Sequence, residues 1–152
     1  MTLVLSPCVI DASVGIKLFL QEEQSEDVQE IFDSYLDESV PASLCTPDLF
    51  FVECANILRS KVRFSGYPPQ TAIQAMTYLR ALAIPATSTA DLVEDALAIT
   101  CTHEITAYDA VYVALAARKS LPLLTADDRL IRKLQGSAYQ LLNIGDYLTS
   151  LT

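Results

Sequence analysis

The sequence predicts an α/β protein, a parallel sheet of four to five short strands covered by helices. Three observations carry that prediction. Short apolar runs alternate with longer stretches of helical spacing. Two of those runs, ending at Ile10 and Thr125, pass through acids directly into a helix. A third stretch, Ala107 to Ala117, is apolar on almost every side, and such a helix belongs inside a protein.

Taken in order, Pro7 to Ile10 reads as a buried strand, with Asp11 at its end and a helix over Ala12 to Leu20. Ser25 to Leu36 is an amphipathic helix whose buried stripe is Val28, Ile31, Phe32, Tyr35 and Leu36. Its acids read as a solvated face, with docking of a basic partner as the alternative. Leu44 to Thr46 is a second strand, and Thr46-Pro47-Asp48 reads as a helix start with an N-cap hydroxyl and proline at the first helical position. The helix from Leu49 to Arg59 is so apolar that little of it should face water. Gly66 to Pro69 breaks the chain before a helix over Gln70 to Leu82, with Ile73, Met76, Tyr78, Leu79 and Leu82 expected in the core. A short strand is expected around Ile84 to Thr87, then a helix from Ser88-x-x-Asp91 to about Cys101. Leu121 to Thr125 and Tyr139 to Ile144 are the remaining strands, and Gly145 to Leu151 a terminal helix.

Composition narrows the class. At 152 residues, 51% hydrophobic, the chain can bury a core as one domain spanning 1–152. A mean hydropathy of +0.31 argues against disorder. No run of 18 apolar residues exists, and Leu3-Val4-Leu5 lacks the basic flank and cleavage pattern of a leader, so a soluble cytoplasmic protein away from membranes is expected. Cys8, Cys45, Cys54 and Cys101 form no C-x-x-C pair and read as small buried hydrophobes. With His103 as the single histidine, a Ser-His-Asp triad or an imidazole-rich zinc site is disfavoured. His103 itself is expected on the surface at a helix end.

A net charge of −9 looks wrong for a partner of nucleic acid, but eight acids between Glu22 and Glu38 stand in one segment without a base. The remainder is nearly neutral. With its five candidate site acids set aside it is mildly basic, so a polyanion could approach an acidic pocket there.

Those acids are Asp11, Glu53, Asp109 and the pair Asp127–Asp128. Asp11 stands at the carboxyl edge of a strand, where open α/β sheets bind ligands, and Ser13 could bond a site water or carboxylate, or cap the helix. Glu53 shares a narrow polar strip with Asn56 and Ser60, with no base within a turn until Arg59. Thr106-x-x-Asp109 has the form of a capping box, as Ser88-x-x-Asp91 does, so that form alone says little. Thr125-x-x-Asp128 assigns the cap to Asp128 and leaves Asp127 for the site. Burying one uncompensated carboxylate is costly, and several together repel. A divalent cation relieves both. Oxygen ligands without histidine or thiolate suit Mg2+ or Mn2+, ions that activate water in phosphodiester chemistry.

The chain resembles the PIN-domain family, particularly the toxin ribonucleases of bacterial toxin–antitoxin pairs. The matching stretches are Val9-Ile10-Asp11-Ala12-Ser13, Pro47-Asp48-Leu49 through Glu53 to Leu58, Tyr108-Asp109-Ala110 through Ala116, and Leu124-Thr125-Ala126-Asp127. The resemblance implies a three-layer α/β/α Rossmann-like fold and a metal-dependent endoribonuclease, a hydrolase of RNA. It also implies a homodimer held inactive by a small antitoxin. Asp11, Glu53, Asp109 and Asp127 would be the catalytic, metal-binding acids, with Ser13 and Thr125 as supporting hydroxyls. Asp128 departs from the pattern, which commonly has a basic or neutral residue there, and leaves open which of the two acids faces the metal. Asp11 and Asp109 are expected to hold the principal ion, with Glu53 and Asp127 completing its shell through water or holding a second. Lys17 or the cluster Arg59, Lys61 and Arg63 would position the RNA backbone. Two other classes compete. One is a catalytically silent PIN-like module whose acidic cleft holds a structural cation or a basic peptide. The other is an aspartyl phosphatase, disfavoured because the first strand ends in Asp11-Ala12-Ser13 rather than Asp-x-Asp.

Overall fold

The computed structural model describes residues 2–41 and 43–152. Five strands form one parallel sheet in the order β3-β2-β1-β4-β5. They are β1 (Cys8–Ile10), β2 (Leu44–Pro47), β3 (Ala86–Thr87), β4 (Leu123–Leu124) and β5 (Leu141–Leu142). Cys8, Val9, Ile10, Leu123 and Leu124 are wholly buried, as expected of central strands with helices on both faces. The chain builds outward from β1 through β2 to β3, then returns to place β4 on the other side of β1. The reversal opens a crevice beyond the carboxyl ends of β1 and β4. Residue pairing sets Ile10 beside Leu124, so Asp11 and Thr125 leave the sheet side by side.

The helices are α1 (Ala12–Gly15), followed by a 3-10 turn over Ile16–Leu18, α2 (Ser25–Tyr35), α3 (Leu49–Ser65) and α4 (Pro69–Ala81). After a second 3-10 turn come α5 (Val93–Thr100), α6 (Ala107–Lys119), α7 (Asp128–Lys133) and α8 (Ile144–Ser150). Helix α6 packs against β1, β2 and β4 with α5 beside it, while α1 and α4 pack against α3. Every residue from Ala110 to Ala116 is buried, which fulfils the expectation for this apolar helix. Gly15 is where α1 meets α3: a Cβ there would stand 2.5 Å from Cζ of the buried Phe50 ring.

Several local expectations are corrected. Thr46 does not cap α3; it ends in β2, and its hydroxyl donates to the Ile10 carbonyl at 3.0 Å. Asp48 takes the N-cap position and its carboxylate instead accepts from the Thr89 N–H at 2.8 Å, tying the β2 and β3 turns together. Helix α3 runs a turn and a half past Arg59, and Val52 on it is 68% exposed, so it is less buried than its apolar content suggests. On α4 the buried residues are Ala72, Ala75 and Leu79, whereas Ile73 and Tyr78 face water, because the helix turns its small-residue face inward. Leu36 is exposed just beyond the end of α2, and Cys101 is exposed while Cys8 and Cys54 are buried. His103 follows α5 and meets the Tyr139 ring edge-on.

Candidate active site at the carboxyl edge of the sheet

Asp11 caps α1, its Oδ1 accepting from the Val14 N–H at 3.3 Å. The residue is only 8% exposed. A buried carboxylate needs donors, and the adjoining β4 end supplies them. Ser13 Oγ donates to Asp11 Oδ1, accepts from the Ala126 N–H at 2.9 Å, and lies 3.3 Å from Thr125 Oγ1. Thr125 Oγ1 in turn accepts from the Asp127 N–H at 3.0 Å. Two hydroxyls therefore lace the ends of β1 and β4 together around one acid. Burial nevertheless pushes the Asp11 carboxyl up to about 6, against the pull of these bonds, with the Asp109 charge adding to the rise.

Asp109 lies half-buried in the first turn of α6, whose N-cap Thr106 accepts from the Asp109 N–H at 3.2 Å. Burial and then the charge of Asp127 raise its pKa, while the Thr106 hydroxyl and the Lys133 ammonium oppose the rise. Glu53, half-buried on α3, is also raised, first by burial and then by Asp109, against the hydrogen bond from Tyr112. Asp109 is thus the hub: its field reaches Asp11 on α1 and Glu53 on α3, and that of Asp127 reaches it.

Asp127, not Asp128, is the N-cap of α7; its Oδ1 accepts from the N–H groups of Arg129 and Leu130 at 3.0 and 3.1 Å. This corrects the assignment of the cap to Asp128. Thr125, the supposed cap partner, is wholly buried at the strand end with its hydroxyl already engaged, so the helix starts two residues later than the box pattern implies. Asp128 is exposed.

The PIN domain profile matches residues 8–135. The chain belongs to the PIN domain family. Over 127 residues it is 34% identical to Ribonuclease VapC3 of Pyrobaculum aerophilum, covering 82% of this chain and 92% of that protein. Solved structures share the fold at lower identity. PAE2754 from Pyrobaculum aerophilum superposes with a TM-score of 0.66 at 19% identity, over 96% of this chain and 89% of that one. A toxin–antitoxin complex from Klebsiella pneumoniae gives 0.62 at 16%, over 90% and 97%. VapC20 of Mycobacterium tuberculosis, a sarcin-ricin loop cleaving toxin, gives 0.60 at 16%, over 79% and 89%.

Within this PIN domain Asp11 and Asp127 follow the carboxyl ends of β1 and β4, and Asp109 is linked electrostatically to Asp11, Glu53 and Asp127. Among the described residues, however, no three histidine, cysteine, aspartate or glutamate side chains close into a group that could hold a metal by themselves. The donor set is all carboxylate; the Cys54 thiol, near Asp11 and Glu53, is kept protonated, by burial first and then by those two charges. Such a set fits a hard dication that keeps much of its own water, as Mg2+ does when bound through one or two carboxylates.

The other expected residues divide. Asn56 is exposed one turn beyond Glu53, and its carbonyl accepts from Ser60 Oγ at 3.3 Å. Lys17 is occupied, donating to Glu22 Oε1 at 3.1 Å and the Glu23 carbonyl at 2.8 Å. Arg63 lies over the Phe64 ring, 5.8 Å from its centroid, at the far end of α3 from Glu53. Two residues were not singled out from sequence: Lys133, the cation beside Asp109, and Tyr112, whose hydroxyl donates to Glu53 Oε1 at 2.5 Å. The signal for Tyr112 was available in its spacing, three residues after Asp109 and so on a neighbouring part of the same helix face.

Proposed function

We propose that this PIN domain is a magnesium- or manganese-dependent endoribonuclease, the toxin of a toxin–antitoxin pair, acting as a homodimer restrained by a small antitoxin. Membership of the family and likeness to a relative named as a ribonuclease support the reaction class. What supports it most is the buried Asp11 carboxylate, held by Ser13 where β1 and β4 end side by side and paired with no cation among the described residues, with the charge of Asp109 acting on it and on Glu53.

The bound ion would supply Lewis-acid chemistry, activating water and offsetting the phosphate charge. Asp11 and Asp109 are the residues to hold it directly, with Glu53 and Asp127 completing the shell through water or holding a second ion. Ser13 and Thr125 keep Asp11 fixed in orientation, so the site needs little rearrangement when RNA arrives. Asn56 and the bases of α3 stand along the same helix as Glu53, where a phosphate backbone could lie.

The test is cleavage of single-stranded and structured RNA by the purified chain with millimolar Mg2+ or Mn2+, and with chelator. Cleavage that needs the ion and falls roughly a hundredfold or more in Asp11→Asn and Asp109→Asn supports the reading. Variants that cut as fast as the parent, or turnover of a small phosphoester with none of RNA, would overturn it.

A further inference from the structure

We propose that Tyr112 is a positioning residue: its buried hydroxyl holds the Glu53 carboxylate in one rotamer, so that helix α6 sets two of the site acids at once. The inference rests on the metal-dependent reading above and assigns a task to a residue that touches neither metal nor substrate.

The argument begins with burial. Tyr112 is 2% exposed and lies in the apolar run Ala110 to Ala116, where a phenol hydroxyl needs an acceptor. The acceptor is Glu53 Oε1, on a different helix and 59 positions away in sequence. The two side chains differ in freedom. Tyr112 has two rotatable bonds and a ring locked by packing. Glu53 has three, is half-buried, and has the Tyr112 bond as its one side-chain hydrogen bond among the described residues. The rigid partner therefore fixes the mobile one. Tyr112 follows Asp109 by three residues, which puts both on adjoining parts of one helix face. With Oε1 engaged by the phenol, Oε2 would be the Glu53 oxygen available to an ion or its water. A tyrosine that merely satisfied its own hydroxyl would tolerate loss of that bond without effect on metal binding. A positioning tyrosine would not, since partners of ligating carboxylates commonly matter 10- to 100-fold to metal affinity.

Calorimetric titration of Mn2+ into the full chain separates these cases. Tyr112→Phe removes one oxygen and keeps the ring. Its Mn2+ affinity is expected to fall about tenfold or more. Its metal-free melting temperature should change little, and the KM for RNA at saturating metal should stay that of the parent. In the Glu53→Gln background the same substitution should cost nothing further, because it acts through Glu53. If Tyr112→Phe does not fold, Glu53→Asp serves: it shortens the acid by one methylene, breaks the contact, and should show a comparable loss. Parent-like Mn2+ affinity in whichever of these variants folds overturns the proposal, as does a Tyr112→Phe loss undiminished in the Glu53→Gln background. A parent that binds no Mn2+ sinks the nuclease reading and this proposal together, whereas a parent that binds it equally with and without the hydroxyl sinks the proposal alone.

Discussion

Burial first, and then the Asp109 carboxylate at the start of α6, raises the pKa of Asp11 at the start of α1, although the two acids lie far apart in the sequence. The fold brings them together by packing α6 against β1, the strand that ends just before Asp11. Without a cation these charges oppose folding, so an ion that binds them should stabilise the native state by mass action. At a hundred times its Kd the gain is about 2.7 kcal/mol. Thermal unfolding with chelator and with Mn2+ should show a higher melting temperature in metal. Asp11→Asn should be more stable than the parent in chelator and gain less from the ion.

The same carboxyl gives stability a pH dependence of known sign. Asp11 is pushed from an ordinary 3.8 up to about 6 in the fold, so the native state binds its proton more tightly than the unfolded chain does. Its contribution is therefore greatest below pH ~4 and is lost as pH rises towards and past about 6; the full swing is about 3 kcal/mol. Glu53 and Asp109 are raised in the same direction, while Asp37 and Asp48 are lowered by hydrogen bonds, chiefly from Ser39 and Thr89 respectively, and act oppositely. Comparing parent with Asp11→Asn isolates the one group. In metal-free urea denaturation, the advantage of the variant at about pH 7.5 should shrink by about 2.4 kcal/mol on going to pH ~4.

Ser13→Ala should damage the site and the fold together. It removes a donor to Asp11 and the acceptor of the Ala126 N–H, leaving that half-buried amide unpaired. The expected cost is about 1–3 kcal/mol in urea denaturation. The lost bond also favoured the ionised acid, so Asp11 in the variant should titrate at higher pH than in the parent by carboxyl NMR.

Gly15→Ala tests the approach of α1 to α3. The added methyl would stand 2.5 and 2.7 Å from two atoms of the Phe50 ring, which is wholly buried. Overpacking of this kind costs about 1–3 kcal/mol, read as a lower urea midpoint. Because Asp11 caps the same helix, activity should fall as well.

Legibility from sequence followed the length of the signal. Helix α6 could be read because an apolar stretch of that length has one destination, and Asp11 because a short buried run ending in an acid before a helix has few alternatives. Local cap patterns misled where a strand competed for the same residue. Thr46 and Thr125 both look like helix caps, yet each hydroxyl is used at a strand end, by the Ile10 carbonyl and the Asp127 amide. That moved the α7 cap to Asp127. Ile73 and Tyr78 were expected inside because they are large and apolar, but only the partner surface decides which face of α4 is covered, and there it is the alanine face. The spacing from Asp109 places Tyr112 on the right helix face, but nothing in one sequence names Glu53, on a distant helix, as its partner.

The most direct measurement is anomalous diffraction from crystals of the protein soaked in Mn2+. A peak bonded to oxygens of Asp11 and Asp109, with Glu53 and Asp127 in its water shell or beside a second peak, is the predicted result. Density for manganese elsewhere, or at none of these carboxylates, would contradict it.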